Sequence, residues 1–153
     1  MQKILVKNRT FVRGSRQMNP NYVHTITLYN CIKARDTGAT KDIWRKTVLK
    51  DCFYKAGETI VQDGTSASKV STYTARIQAD DRFLRYPLYC KTPDGYFTVS
   101  VGDIVVLGEC EEDITDEMPA AKLLIKHKPD AFIVSTFSDN AGHIAGRHYK
   151  IGG

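Results

Sequence analysis

The strongest constraint on this chain is a period-two pattern that returns along most of its length. In His24-Thr-Ile-Thr-Leu-Tyr-Asn30, Ile26 and Leu28 share one parity while Thr25, Thr27 and Tyr29 share the other. In Val70–Gln78, Ser71, Tyr73, Ala75 and Ile77 fall on one side. Successive side chains of a strand point to opposite faces, so this alternation specifies strands. Turn-forming residues punctuate the runs at Ala56-Gly57, Pro93-Asp94-Gly95, Val101-Gly102-Asp103 and Asp139–Gly142.

The run from Ile43 to Lys55 breaks the rhythm. Trp44, Val48, Cys52 and Tyr54 have one parity, Leu49 and Phe53 the other. A β-bulge, or burial on both faces, reconciles them. Asp36–Asp42 and Gly64–Ser68 read as polar loops, and Tyr86-Pro87-Leu88-Tyr89 as a short extended piece. Tyr96–Ser100, the turn at 101–103 and Ile104–Gly108 read as a tight hairpin-like unit. One helix is expected, starting near Thr115 or Asp116, with Pro119 in its first turn and Pro129 ending it; Ala121, Leu124 and Ile125 would face the core. Two strands follow, at Ala131–Phe137 and Gly146–Ile151. The expected fold is mainly β: a small β-barrel or sandwich of about seven or eight short strands, with one short helix late in the chain and an extended N-terminal arm.

The sequence has 153 residues, 42% hydrophobic and 25% charged, the size and composition of one globular domain. No apolar run approaches the roughly 20 residues that span a bilayer. Ile4-Leu5-Val6 is too short for a signal-peptide core. A cytoplasmic protein, or one assembled there, is expected.

The net charge of +5 is local. Lys3, Lys7, Arg9, Arg13, Arg16, Lys33 and Arg35 precede the first acid, Asp36. The remaining 118 residues carry 15 basic and 17 acidic side chains. Residues 1–22 therefore read as a basic arm and 23–153 as a single β-rich domain. Such an arm suits phosphates or an acidic protein surface. The run Glu109, Glu111, Glu112, Asp113, Asp116 and Glu117 lacks the spacing and central glycine of a calcium loop, and reads as an exposed acidic loop before the helix.

No catalytic motif is present. The four cysteines, Cys31, Cys52, Cys90 and Cys110, form no C-x-x-C pair, and His24, His127, His143 and His148 form no zinc pattern. Buried free thiols are expected. His127 is accounted for by the negative end of the helix dipole. There is no G-x-S-x-G elbow and no phosphate loop. A Cys–His pair from distant positions stays open. Arg82-Phe-Leu-Arg-Tyr86 and Arg147-His-Tyr-Lys150 mix aromatic and basic residues as OB-type single-strand binders do, which keeps a nucleic-acid-binding barrel in view. The expectation is a non-enzymatic protein with neither metal nor cofactor.

Several segments carry a resemblance: Thr25–Asn30, Tyr73–Ile77, Asp94-Gly-Tyr-Phe-Thr98, Gly102-Asp-Ile-Val-Val106, Gly108-Glu109, Asp113–Thr115, Phe132–Val134 through Asp139-Asn140, and His148-Tyr-Lys-Ile-Gly152. In this order, over about residues 24–152, the chain is similar to small structural proteins of the head–tail joining region of tailed bacteriophages and prophages. The resemblance implies a neck or connector subunit of the head-completion or stopper type, present in the virion. Such subunits form a ring between the portal or adaptor and the tail tube or tail terminator. A tail terminator, or another tail-side structural protein, is the nearest alternative. The basic arm (Lys3, Lys7, Arg9, Arg13, Arg16) and the acidic residues Glu109, Glu111, Glu112 and Asp113 are then expected to meet between subunits. Arg82 and Arg85, with the loop 62–68, are expected to face a neighbour or the packaged DNA. No contact with a membrane is expected.

Overall fold

The computed structural model describes residues 20–142 and 144–153. The basic side chains Lys3, Lys7, Arg9, Arg13 and Arg16, and His143, lie outside the described residues.

Among the described residues seven antiparallel strands form one sheet: β1 (His24–Ile32), β2 (Ile43–Asp63), β3 (Ser66–Gln78), β4 (Ile104–Leu107), β5 (Ala131–Ile133), β6 (Thr136–Asp139) and β7 (His148–Gly152). Their order is β5-β4-β1-β2-β3-β7-β6. The mainly-β expectation holds, and so does the number of strands. The barrel does not form. β5 and β6 stand at opposite ends of the strand order although only Val134 and Ser135 separate them in the chain, and they are not paired with each other. The single strand expected over 131–137 is therefore two.

Among the described residues three short helices replace the one expected: α1 (Ala34–Thr37), α2 (Tyr86–Lys91) and α3 (Ala120–His127). α1 is a single turn inside the expected polar loop and ends on Gly38 at φ 72°. α2 falls where an extended piece was expected. Pro87 stands in its first turn, where its missing N–H costs no helical bond. α3 starts after Pro119, whose carbonyl accepts from the N–H of Lys122 and Leu123. Leu123 is its buried residue, with Ala120 and Leu124 partly buried; Ile125 is exposed, and so is Ala121.

The parity break in β2 is a bulge. His24 pairs with Cys52 and Ile26 with Leu49, so Lys50 and Asp51 together oppose Thr25. Asp51 takes φ 55°, and the inward position moves from odd Leu49 to even Cys52 and Tyr54. The expected hairpin at 96–108 is absent: Ile104–Leu107 pairs with β1 and β5, while Phe97 makes an isolated bridge to Phe83.

β1 is buried on both faces. On one, Ile26 and Leu28 join Leu49, Cys52, Tyr54, Ala75, Ile77, Phe97, Val105, Phe132, Tyr149 and Ile151 in the main core. On the other, Tyr29 joins Ile104, Val106, Cys110, Ala131 and Leu123 of α3 in a second core. The sheet thus packs against its own far strands on one side and against α3 on the other. Gly153 closes onto this wall: its N–H and carbonyl bond with Tyr73, and a Cβ there would stand 2.2 Å from the Phe132 ring.

One buried carboxylate fixes the start of β4. Asp103 accepts from Asn30 Nδ2 (2.8 Å), Cys31 N–H (3.0 Å) and Ser100 N–H (2.8 Å). Burial lifts its carboxyl from the ordinary 3.8 to about 6, against the opposing pull of those three donors.

Candidate functional site

Two features stand out from the packed body. The first is the distal part of the β2–β3 hairpin. Seven residue pairs, from Gly57↔Thr72 to Asp63↔Ser66, run beyond the last rung of β7 at Thr74. At about 3.4 Å per residue this is a ribbon roughly 20–25 Å long. Every residue from Glu58 to Thr72 is exposed. The expected loop 62–68 is the tip of this hairpin, closed by a two-residue turn with Gly64 at φ 60°, the glycine-favoured first position of a type II′ turn.

Alternation gives the ribbon two unlike faces. Thr59, Val61, Ser68, Val70 and Thr72 make one face, rich in β-branched side chains, with the charge of Asp63 at its tip. Glu58, Ile60, Gln62, Lys69 and Ser71 make the other, with a Glu58–Lys69 ion pair at 2.8 Å. Ile60 is 70% exposed. Neither outer edge of the ribbon pairs with another described strand.

The second feature is the acidic segment before α3. Thr27, buried within β1, pins its start: Thr27 Oγ1 donates to the Gly108 carbonyl (2.7 Å) and accepts from Cys110 N–H (2.8 Å). Tyr29 OH donates to the Glu112 carbonyl at 2.6 Å. Burial, aided by the nearby Cys110, pushes the Tyr29 phenol up. Glu112 reaches Lys126 Nζ (2.6 Å) and His127 Nε2 (2.7 Å), and these partners, Lys126 first, hold its carboxyl below the ordinary range. Asp113 pairs with Lys46 (3.1 Å) and Asp116 with Lys41 (2.8 Å). Three of the six acids in the run are thus paired within the chain. Glu109, Glu111 and Glu117 remain exposed and without an ion pair among the described residues.

This segment also brings together the distant Cys–His pair. Cys110 Sγ lies 3.5 Å from His127 Nε2 and 4.0 Å from Glu112 Oε1. The thiol and the carboxylate both approach the same ring nitrogen. A nucleophile relay needs base and orienting group on opposite nitrogens, so this cluster lacks that wiring. Its spacing, C-x-E and then His fifteen residues later, matches no metal pattern and gave no signal in the sequence.

Arg82 and Arg85 are both exposed and both ion-paired. Arg82 grips Asp80 through Nε and NH2, and Arg85 pairs with Asp139 at 3.1 Å. An open groove of about 320 Å³ runs past Arg45, Lys46, Arg82, Tyr89 and Tyr96. Each of its three cations already has a carboxylate: Asp94 for Arg45, Asp113 for Lys46 and Asp80 for Arg82. All four cysteines are free, three of them buried, as expected. Burial raises Cys52 to about 12 and Cys31 to about 11, which keeps both protonated and unreactive at neutral pH.

The fold defines a β-rich protein with an exposed β2–β3 ribbon. The chain belongs to a family of unknown function, DUF6751, whose model matches residues 21–153. No curated protein and no solved structure is significantly similar to it. Among the described residues no helix is long and apolar enough to cross a membrane.

Proposed function

We propose that this protein is a structural virion subunit of the head–tail connector or stopper type, working as a homo-oligomeric ring between the portal or adaptor and the tail. The observation that carries the reading is the β2–β3 ribbon. An isolated two-stranded ribbon is marginally stable in water. Unpaired strand edges are templates for further pairing, and folded proteins normally cover or blunt them. This ribbon has two open edges, a face rich in β-branched side chains and no described partner within its own chain. A neighbouring subunit that seats it removes all three costs together.

Rings need two unlike faces on each subunit. The ribbon supplies one, and the body against which a neighbour's ribbon lies supplies the other. The basic arm and the exposed Glu109 and Glu111 give such a contact register and steering. The internal ion pairs of Arg45, Lys46, Arg82 and Arg85 weigh against a nucleic-acid-binding barrel, since phosphate binding would have to break them.

The test is the protein content of purified phage particles from the source host, measured by quantitative mass spectrometry. A ring-like copy number per particle is expected. Absence from the particles overturns the proposal.

A further inference from the structure

We infer that Cys110, Glu112 and His127 form a binding site for a zinc-class divalent metal ion. Each offers one donor of a different kind, and the three donor atoms lie within 4.8 Å of one another. Zinc bonds of about 2.0–2.3 Å to nitrogen, oxygen and sulfur put neighbouring tetrahedral ligands roughly 3.3–3.8 Å apart. The separations here are 3.5 Å (Sγ to Nε2), 4.0 Å (Sγ to Oε1) and 2.7 Å (Nε2 to Oε1). Two edges are near that range, and opening the third by well under an ångström needs only a side-chain rotation of partly exposed Glu112.

Hydrogen bonding alone uses these groups unevenly. His127 Nε2 and Glu112 Oε1 share a close 2.7 Å contact, whereas the Cys110 sulfur reaches them only at 3.5 and 4.0 Å. A cation placed between them satisfies all three groups. Thiolate, imidazole and carboxylate together favour zinc over magnesium or calcium.

The supports are already in place. Thr27 holds the Cys110 backbone, Tyr29 holds the Glu112 carbonyl, and buried Leu123 anchors α3 one turn before His127. Lys126 occupies the other carboxylate oxygen, Oε2, leaving Oε1 for the ion. The side chains of Glu112 and His127 are about a quarter exposed (27% and 26%), so water can take the fourth position. Bound metal would staple the acidic segment to the end of α3.

Cobalt(II) titrated into the reduced full-length protein tests the site. One equivalent should bind, giving a thiolate-to-cobalt charge-transfer band and tetrahedral visible bands that zinc then displaces. Cys110→Ser should lose the charge-transfer band, whereas Cys90→Ser should keep it. Glu112→Gln should retain the far-ultraviolet circular dichroism spectrum. It should weaken binding by at least the roughly ten- to hundredfold that loss of a supporting partner costs a metal site. Failure to bind one equivalent overturns the inference, as does a charge-transfer band that survives Cys110→Ser.

Discussion

β1 and the distal β2–β3 ribbon obey the same period-two rule and end in opposite environments. From Ile26 to Ile32 every residue of β1 is buried, polar Thr27 and Asn30 included. From Glu58 to Thr72 every residue of the ribbon is exposed. Alternation makes both into strands, but it leaves open what covers their faces. β1 places Ile26 and Leu28 on one parity and Tyr29 and Cys31 on the other, so both sides have something to bury. The ribbon offers Ser, Thr, Lys and Glu with three scattered aliphatic residues, Ile60, Val61 and Val70, too few to hold a core.

If the body carries the stability and the ribbon carries the contact, their substitutions should separate cleanly. The largest effect is expected in β1. Leu28→Ala should cost about 2–5 kcal/mol in urea unfolding, since its cavity lies between strands that cannot collapse.

Next is the pH response of Asp103. Its carboxyl titrates at about 6 in the folded chain and near 3.8 when unfolded. The folded chain therefore holds the extra proton between those values. The associated stability is full below about pH 4 and is lost as pH rises through about 6, by up to about 3 kcal/mol. Asp103→Asn should flatten that slope, whatever its effect on overall stability; an unchanged slope would remove Asp103 as its source.

Tyr29→Phe should cost about 1 kcal/mol, the net worth of one hydrogen bond to the Glu112 carbonyl, measured by the same unfolding experiment. The smallest change in stability is expected for the ribbon. Replacing residues 58–71 by Asn-Gly, a favoured two-residue hairpin link, should move the unfolding midpoint of the body little, by less than about 1 kcal/mol. The same deletion should abolish ring assembly in sedimentation or in particle reconstitution. If assembly persists, the ribbon is not the contact; if the body unfolds, the two regions are not separable.

The readable parts of this molecule were those governed by neighbours in sequence. The parity switch between Leu49 and Cys52 announced the Lys50-Asp51 bulge, Pro93-Asp94-Gly95 the turn, and Pro129 the end of α3, whose start falls after Pro119 and not at the expected Thr115 or Asp116. The errors came where position in space decides. Pro87 suggested an extended piece, though a proline in the first turn also opens a helix, and only the burial of Tyr89 selects that reading. The polar texture of Gly64–Ser68 suggested a loose loop, but its residues are rungs of a ladder about a two-residue turn. Ile125 carried the right periodicity for the core and faces outward, because Leu123 meets the second core instead. The meeting of Cys110 with His127 was out of reach, since it depends on Thr27 and Tyr29 folding the acidic segment back over β1.

The continuity of β2 has a mechanical consequence. One strand, Ile43–Asp63, is both the centre of the packed wall and one rail of the ribbon. A pull on the ribbon tip along its length is therefore delivered to β1 and, through β3, to β7 as shear. In shear the rungs of a ladder share the load and must fail together, whereas peeling breaks them in turn. The Lys50-Asp51 bulge sits where the β1 ladder gives way to the β3 ladder and acts as the fulcrum, setting the direction in which tension leaves the ribbon and enters the body.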